Sequence, residues 1–167
     1  MRFVDFLKAT VLLSAGGATL LAVITILGAT RDTGEPTLTY VGVGWWVVAA
    51  VIGAWLGRHN QASPPIARLL ADARMQMTLP ELRPGLTLLT RLWPLLVSTL
   101  GAGLLGLFVP QVAAVAAGFA IIWALAWRRQ DAAVTAIEDR DGFRFYVDRT
   151  PPLQPIRLIR TPGLMAG

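Results

Sequence analysis

The sequence predicts an all-α integral membrane protein. The expected architecture is a bundle of four transmembrane helices, open to division into two parallel helical-hairpin repeats, with a short β-hairpin-like cytoplasmic tail. Three observations carry this. Of 167 residues, 54% are hydrophobic and 15% charged, and the mean hydropathy is +0.57, more apolar than a soluble domain of this length requires. Residues 92–127 contain no ionisable side chain, a run exceeding the roughly 20 apolar residues that cross a bilayer once. The basic residues are also shared unequally between alternate connections.

Four spans follow, at about 11–29, 40–57, 92–109 and 111–127. Helix is preferred to strand because hydrocarbon cannot satisfy open backbone groups, and the alternation of a barrel strand is missing. Pro110 and Gln111 mark a tight turn between the last two spans. The first apolar stretch is longer than a typical signal core, and Leu27 suits a small-residue cleavage pattern poorly, which disfavours a cleaved leader.

Arginine orients the bundle. Arg2 and Lys8 precede the first span. Arg58, Arg68, Arg74, Arg83 and Arg91 lie between the second and third, and seven arginines follow the fourth. The connection "TRDTGEPTLT" holds only Arg31, beside Asp32 and Glu35, and "FVPQ" holds no basic residue. The positive-inside rule then makes both termini and the central connection cytoplasmic. With 14 arginines against one lysine, a G+C-rich bacterial genome and its plasma membrane are the expected setting.

Small residues recur at every fourth position. Ser14, Ala18 and Ala22 align with Ser98, Ala102 and Gly106 at one offset, and Ala50, Ala54 and Arg58 with Ala120, Ala124 and Arg128 at another. Such matches arise easily because Ala, Gly and Ser are common in membrane helices, so duplication stays open. The packing expectation is independent of it: these stripes, with Gly53 and Gly57, let backbones approach and turn Leu, Val, Ile and Phe toward lipid.

By this reading the membrane domain covers 1–130 and a cytoplasmic tail 131–167. Within the central connection, Ser63 and two prolines begin a helix over about 64–77. Its Ile66, Leu69, Leu70, Ala73 and Met77 fall at helical spacing, with Arg68 on the other side. An amphipathic helix in the membrane interface is expected there, a helix packed on protein being the competing reading. In the tail, "AVTAIEDRDGFRFYV" suggests a hairpin around Gly142, and "IRLIR" a further extended segment. A lone hairpin is marginal in water, so it must rest on something. Arg68, Arg74, Arg144, Phe145, Tyr146 and Arg157 are the expected contacts to a protein partner or to headgroups.

The chemistry-bearing patterns are thin. "GAGLLG" at 101–106 matches a dinucleotide fingerprint, but mid-span, where helix packing is the better reading. His59 is the only histidine and there is no cysteine; neither a metal nor a cofactor is expected. Ser14, Ser98 and Thr99 have no intramembrane base beside them, so their hydroxyls should bond back to their own helices. Ion- and proton-coupled carriers place ionisable groups within the membrane, and these spans have none. The expectation is a non-enzymatic multi-pass anchor or scaffold whose tail docks a partner. The alternative is a transporter or lipid-handling subunit for an uncharged or amphipathic molecule. The bilayer, a cytoplasmic or membrane protein and a second copy of the chain are the expected partners; nucleic acid is not, since from Arg128 onward five acids oppose seven arginines.

Overall fold

A computed structural model describes residues 1–31, 37–59, 61–76, 84–148 and 154–162. In chain order the elements are α1 (Phe3–Arg31), α2 (Thr37–Leu56), α3 (Pro64–Ala71), β1 (Arg74–Met75), α4 (Pro84–Gly106), α5 (Pro110–Trp127), α6 (Gln130–Asp141), β2 (Phe143–Val147) and β3 (Leu158–Pro162). Among the described residues, four helices are long and apolar enough to cross a membrane. The chain is mostly helical but not all-α, because a three-stranded sheet is present.

Contacts divide the chain into two units: Met1–Ala9, His59–Leu92 and Arg129–Gly167 form one, Thr10–Arg58 and Trp93–Arg128 the other. The second unit contains the expected spans. At 1.5 Å per residue α2 and α5 are about 30 and 27 Å long, the thickness of a hydrocarbon core. Its interior is made mainly of small side chains, with Ala49, Ala113 and Ala117 fully buried and Leu21 the large buried exception. Its large apolar groups point outward: Phe108 is 80%, Tyr40 74% and Leu12 72% exposed. That is the reverse of a soluble core and suits a hydrocarbon surround.

α2 and α5 are the long helices whose backbones approach most closely. Glycines make this approach. A Cβ at Gly53 would lie 3.0 Å from the Ile122 carbonyl oxygen, and one at Gly57 would overlap the Leu125 carbonyl. Trp45 lies against Gly118, where a Cβ would collide with the indole.

The first unit is built around the sheet, in the order β1-β3-β2. β1 runs parallel to β3, and β2 antiparallel to it with Phe145 opposite Arg160 and Tyr146 opposite Ile159. Two expectations are corrected here. The segment before Gly142 is helix α6, not a strand. Its Ala133, Val134 and Glu138 share a buried face at helical spacing, and Gly142 takes φ 68° to close that helix, its N–H donating to the Glu138 carbonyl. Positive φ therefore serves a C-cap instead of a hairpin turn. The true partner of β2 is β3, drawn from the "RLIR" segment. The helix expected over 64–77 ends at Ala71, and Arg74 and Met75 become a strand because β3 offers them ladder bonds, extended by the Gln76 N–H to the Arg160 carbonyl at 3.1 Å. Met77 lies outside the described residues.

Candidate functional site

The chemistry of the first unit converges on Glu138. The α6 register turns this carboxylate inward, and its side chain has no solvent exposure. One oxygen, Oε2, accepts from Arg2 Nη2 at 2.8 Å and Arg144 Nη1 at 3.1 Å. The other, Oε1, accepts the backbone N–H of Phe145 at 2.8 Å. Arg144 also reaches Asp139 at 3.1 Å. The bond to Glu138 raises the Arg144 guanidinium above its already high ordinary pKa, burial opposing it and the nearby carboxylate charges adding to it. A buried charge with three donors is satisfied, whereas one with none would be expelled.

The position of these bonds matters as much as their number. β2 has β3 on one side only, so its outer edge would present bare N–H and C=O groups, an aggregation hazard. Glu138 takes the Phe145 N–H, Met1 accepts from the Val147 N–H at 3.0 Å, and Arg2 bridges Tyr146. The chain's first residues and one carboxylate close the edge together. A second tie joins α6 to the central connection: the Gln130 amide accepts from Ser63 N–H at 2.8 Å. Arg91 Nη1 donates to the Gln154 carbonyl at 2.6 Å.

The residues expected to contact a partner are spread over this unit. Arg68 is exposed on α3, while Ile66 and Leu70 on its apolar face are buried. Phe145 is 5% exposed and faces inward, so it is core. Tyr146 is half-buried beside Arg2, and Arg144 is held by Glu138. Arg74 and Arg157 meet at one cleft of about 380 Å³, lined also by Asp72, Asp148, Leu69, Pro155, Ile156 and Leu158.

In the four-helix unit, Ser14, Ala18, Gly53, Gly57, Gly106 and Ala124 are buried. Ala22, Ala102 and Ala120 are partly so, and Ser98 is exposed. Ser14 Oγ donates to the Thr10 carbonyl at 2.8 Å and Ser98 Oγ to that of Leu95 at 3.0 Å, each within its own helix. Ser14, Leu21, Leu95, Ser98, Thr99, Ala102, Ala116, Phe119, Ala120 and Trp123 line a mostly apolar crevice of about 390 Å³. "GAGLLG" lies inside α4. Trp45 and Trp46 donate their indole N–H groups to the α5 carbonyls of Val115 and Ala114 at 3.2 and 2.9 Å. His59 is exposed, and among the described residues no three acidic, histidine or cysteine side chains gather to hold a metal.

Glu138, Arg2 and Gln130 escaped the sequence reading. A helical wheel over 130–138 would have placed Gln130, Val134 and Glu138 on one face.

The class so defined is a four-long-helix protein with a small sheet-containing unit built from both chain ends and the central connection. Comparison with family models, curated proteins and solved structures finds no match.

Proposed function

We propose that the protein is a non-enzymatic multi-pass protein of the bacterial plasma membrane, with both termini cytoplasmic, acting as an anchored docking platform. The observation that carries this reading is the convergence of Met1–Ala9, His59–Leu92 and Arg129–Gly167 into one contact unit. Three segments separated by long apolar helices have no need to fold together if they are mere connections. A rigid unit tethered by four spans can instead present a fixed surface to a partner, at little ordering cost on binding. Arginines on its exposed face, among them Arg68, Arg74 and Arg157, suit an acidic protein surface or anionic headgroups.

The test uses substitutions on the surface, since removing residues 131–167 would also remove Glu138 and the sheet. Arg68→Glu with Arg157→Glu should abolish co-purification of the partner recovered with the native chain, with membrane insertion unchanged. Full recovery with the variant sinks the proposal.

A second reading, a transporter or lipid-handling subunit, is favoured by the apolar crevice between α1, α4 and α5. Its Ser14 and Ser98 hydroxyls bond to their own helices, so it would suit an uncharged or amphipathic molecule. Lipid scrambling or solute flux in vesicles containing the pure protein would support it, and inert vesicles would reject it. Self-association along the small-residue faces is compatible with either reading.

A further inference from the structure

The cleft at Arg74 and Arg157 brings together charges of both signs. Arg74, Arg157, Asp72 and Asp148 line it with the apolar Leu69, Ile156 and Leu158. Asp148 already has a partner. Among the described residues the Asp72, Arg74 and Arg157 side chains make no hydrogen bond or ion pair, although opposite charges share one cleft. Asp72, Arg74 and Arg157 carry one net positive charge between them, which Asp148 in the same lining brings to zero.

We propose that this cleft binds a phosphate ester carrying a primary amine. A simple anion would meet repulsion from Asp72, and a simple cation would face two arginines. A ligand with both charges satisfies all three groups, the phosphate taking the two arginines and the ammonium taking Asp72. Two guanidinium forks supply more donors than a carboxylate has oxygens, and they match the oxygens of a phosphate. A cleft of about 380 Å³ lies within the range of small-molecule sites. The ligand is either an ethanolamine-type lipid headgroup or the free phosphoamine. The lipid source rests on the membrane reading above, and the free source does not.

The discriminating feature is the amine. A primary ammonium donates hydrogen bonds to Asp72, and a trimethylated one cannot. Purified full-length protein is titrated with O-phosphoethanolamine, phosphocholine and inorganic phosphate. O-Phosphoethanolamine should bind about tenfold more tightly than phosphocholine, one strong hydrogen-bonded contact being worth about that factor. Asp72→Asn should bring the ratio to about one while phosphate binding persists. Arg74→Gln with Arg157→Gln should weaken all three probes. A thiol placed at buried Val147 in each variant reports whether the unit remains folded.

In a parallel arm, phosphatidylethanolamine and phosphatidylcholine compete for retention on the detergent-purified protein. Preferential retention of the first assigns the site to headgroups, and discrimination by the soluble probes alone assigns it to the free compound. Equal affinity for O-phosphoethanolamine and phosphocholine, or a preference that survives Asp72→Asn, overturns the proposal. Arg157 enters both tests, so Arg68→Glu alone, outside the cleft lining, is the variant whose partner recovery judges the docking role separately.

Discussion

Glu138 is a single side chain on which three pieces of chain depend. Replacing it by alanine leaves the Phe145 N–H without its acceptor and two guanidinium groups without their shared counter-ion. Arg2 and Arg144 side chains are 40% and 39% exposed, so water can rescue them, and little of the loss is Coulombic. The buried N–H cannot be rescued without opening the edge, so the expected cost is about 1–3 kcal/mol. Because the chain has no cysteine, Val147→Cys supplies a unique buried thiol. Its labelling in native protein should be slow and should accelerate markedly with Glu138→Ala, while Arg144→Ala should have the smaller effect. Equal labelling rates in all three backgrounds would show that Glu138 does not hold the edge. The sequence conceals this residue because the β-branched residues of "AVTAIEDRDG" suggest a strand, a weak guide that tertiary context overrides. Read as a strand, the segment puts Glu138 among solvated charges.

At the scale of elements, the long helices and the extended segments of β2 and β3 were legible, whereas β1 and the pairing of the sheet were not, for one physical reason. An apolar run crossing hydrocarbon is dictated by its own composition, so spans expected at 40–57 and 111–127 differ by only a few residues from Thr37–Leu56 and Pro110–Trp127. β1 depends on β3, which lies more than eighty residues further along, and nothing near Arg74 announces it. The small-residue stripes were visible, but the pairing of α2 with α5 was not specified by them. That pairing gives two element-level expectations. Gly57→Val places side-chain atoms against the Leu125 carbonyl and should cost about 1–3 kcal/mol, lowering the thermal midpoint in detergent as read by tryptophan fluorescence. Ala15, exposed on α1, should accept valine with little change, and parity between the two variants would dismiss the close approach. Gly142→Val forces a β-branched residue into the left-handed region, costing about 1–2 kcal/mol. It should increase proteolysis after Arg140 and Arg144 without altering the tryptophan transition of the long helices.

At the scale of the whole molecule, the proposed orientation rests on the charge distribution and makes one asymmetric prediction. Fourteen of fifteen basic residues fall at 1–8, 58–91 and 128–160, and moving a guanidinium across hydrocarbon is strongly opposed. Phe108, 80% exposed between α4 and α5, belongs to the opposite side by this rule. Single cysteines at Phe108, at Arg68 on α3 and at Asp139 on α6 sample the two sides without interference from native thiols. In intact cells a membrane-impermeant maleimide should label Phe108→Cys and spare the other two, and permeabilised cells should label all three. Asp139→Cys would also break the Arg144 contact at 3.1 Å, so Arg68→Cys, whose side chain is exposed and makes no such contact, is the decisive inner position. Labelling of Arg68→Cys from outside would invert the bundle and put the sheet-containing unit beyond reach of any cytoplasmic partner. Labelling of all three from outside would mean the long helices do not enclose these residues behind a bilayer at all. Only protection of 68 together with reactivity at 108 joins the apolar helices, the arginine bias and the folded unit in one arrangement.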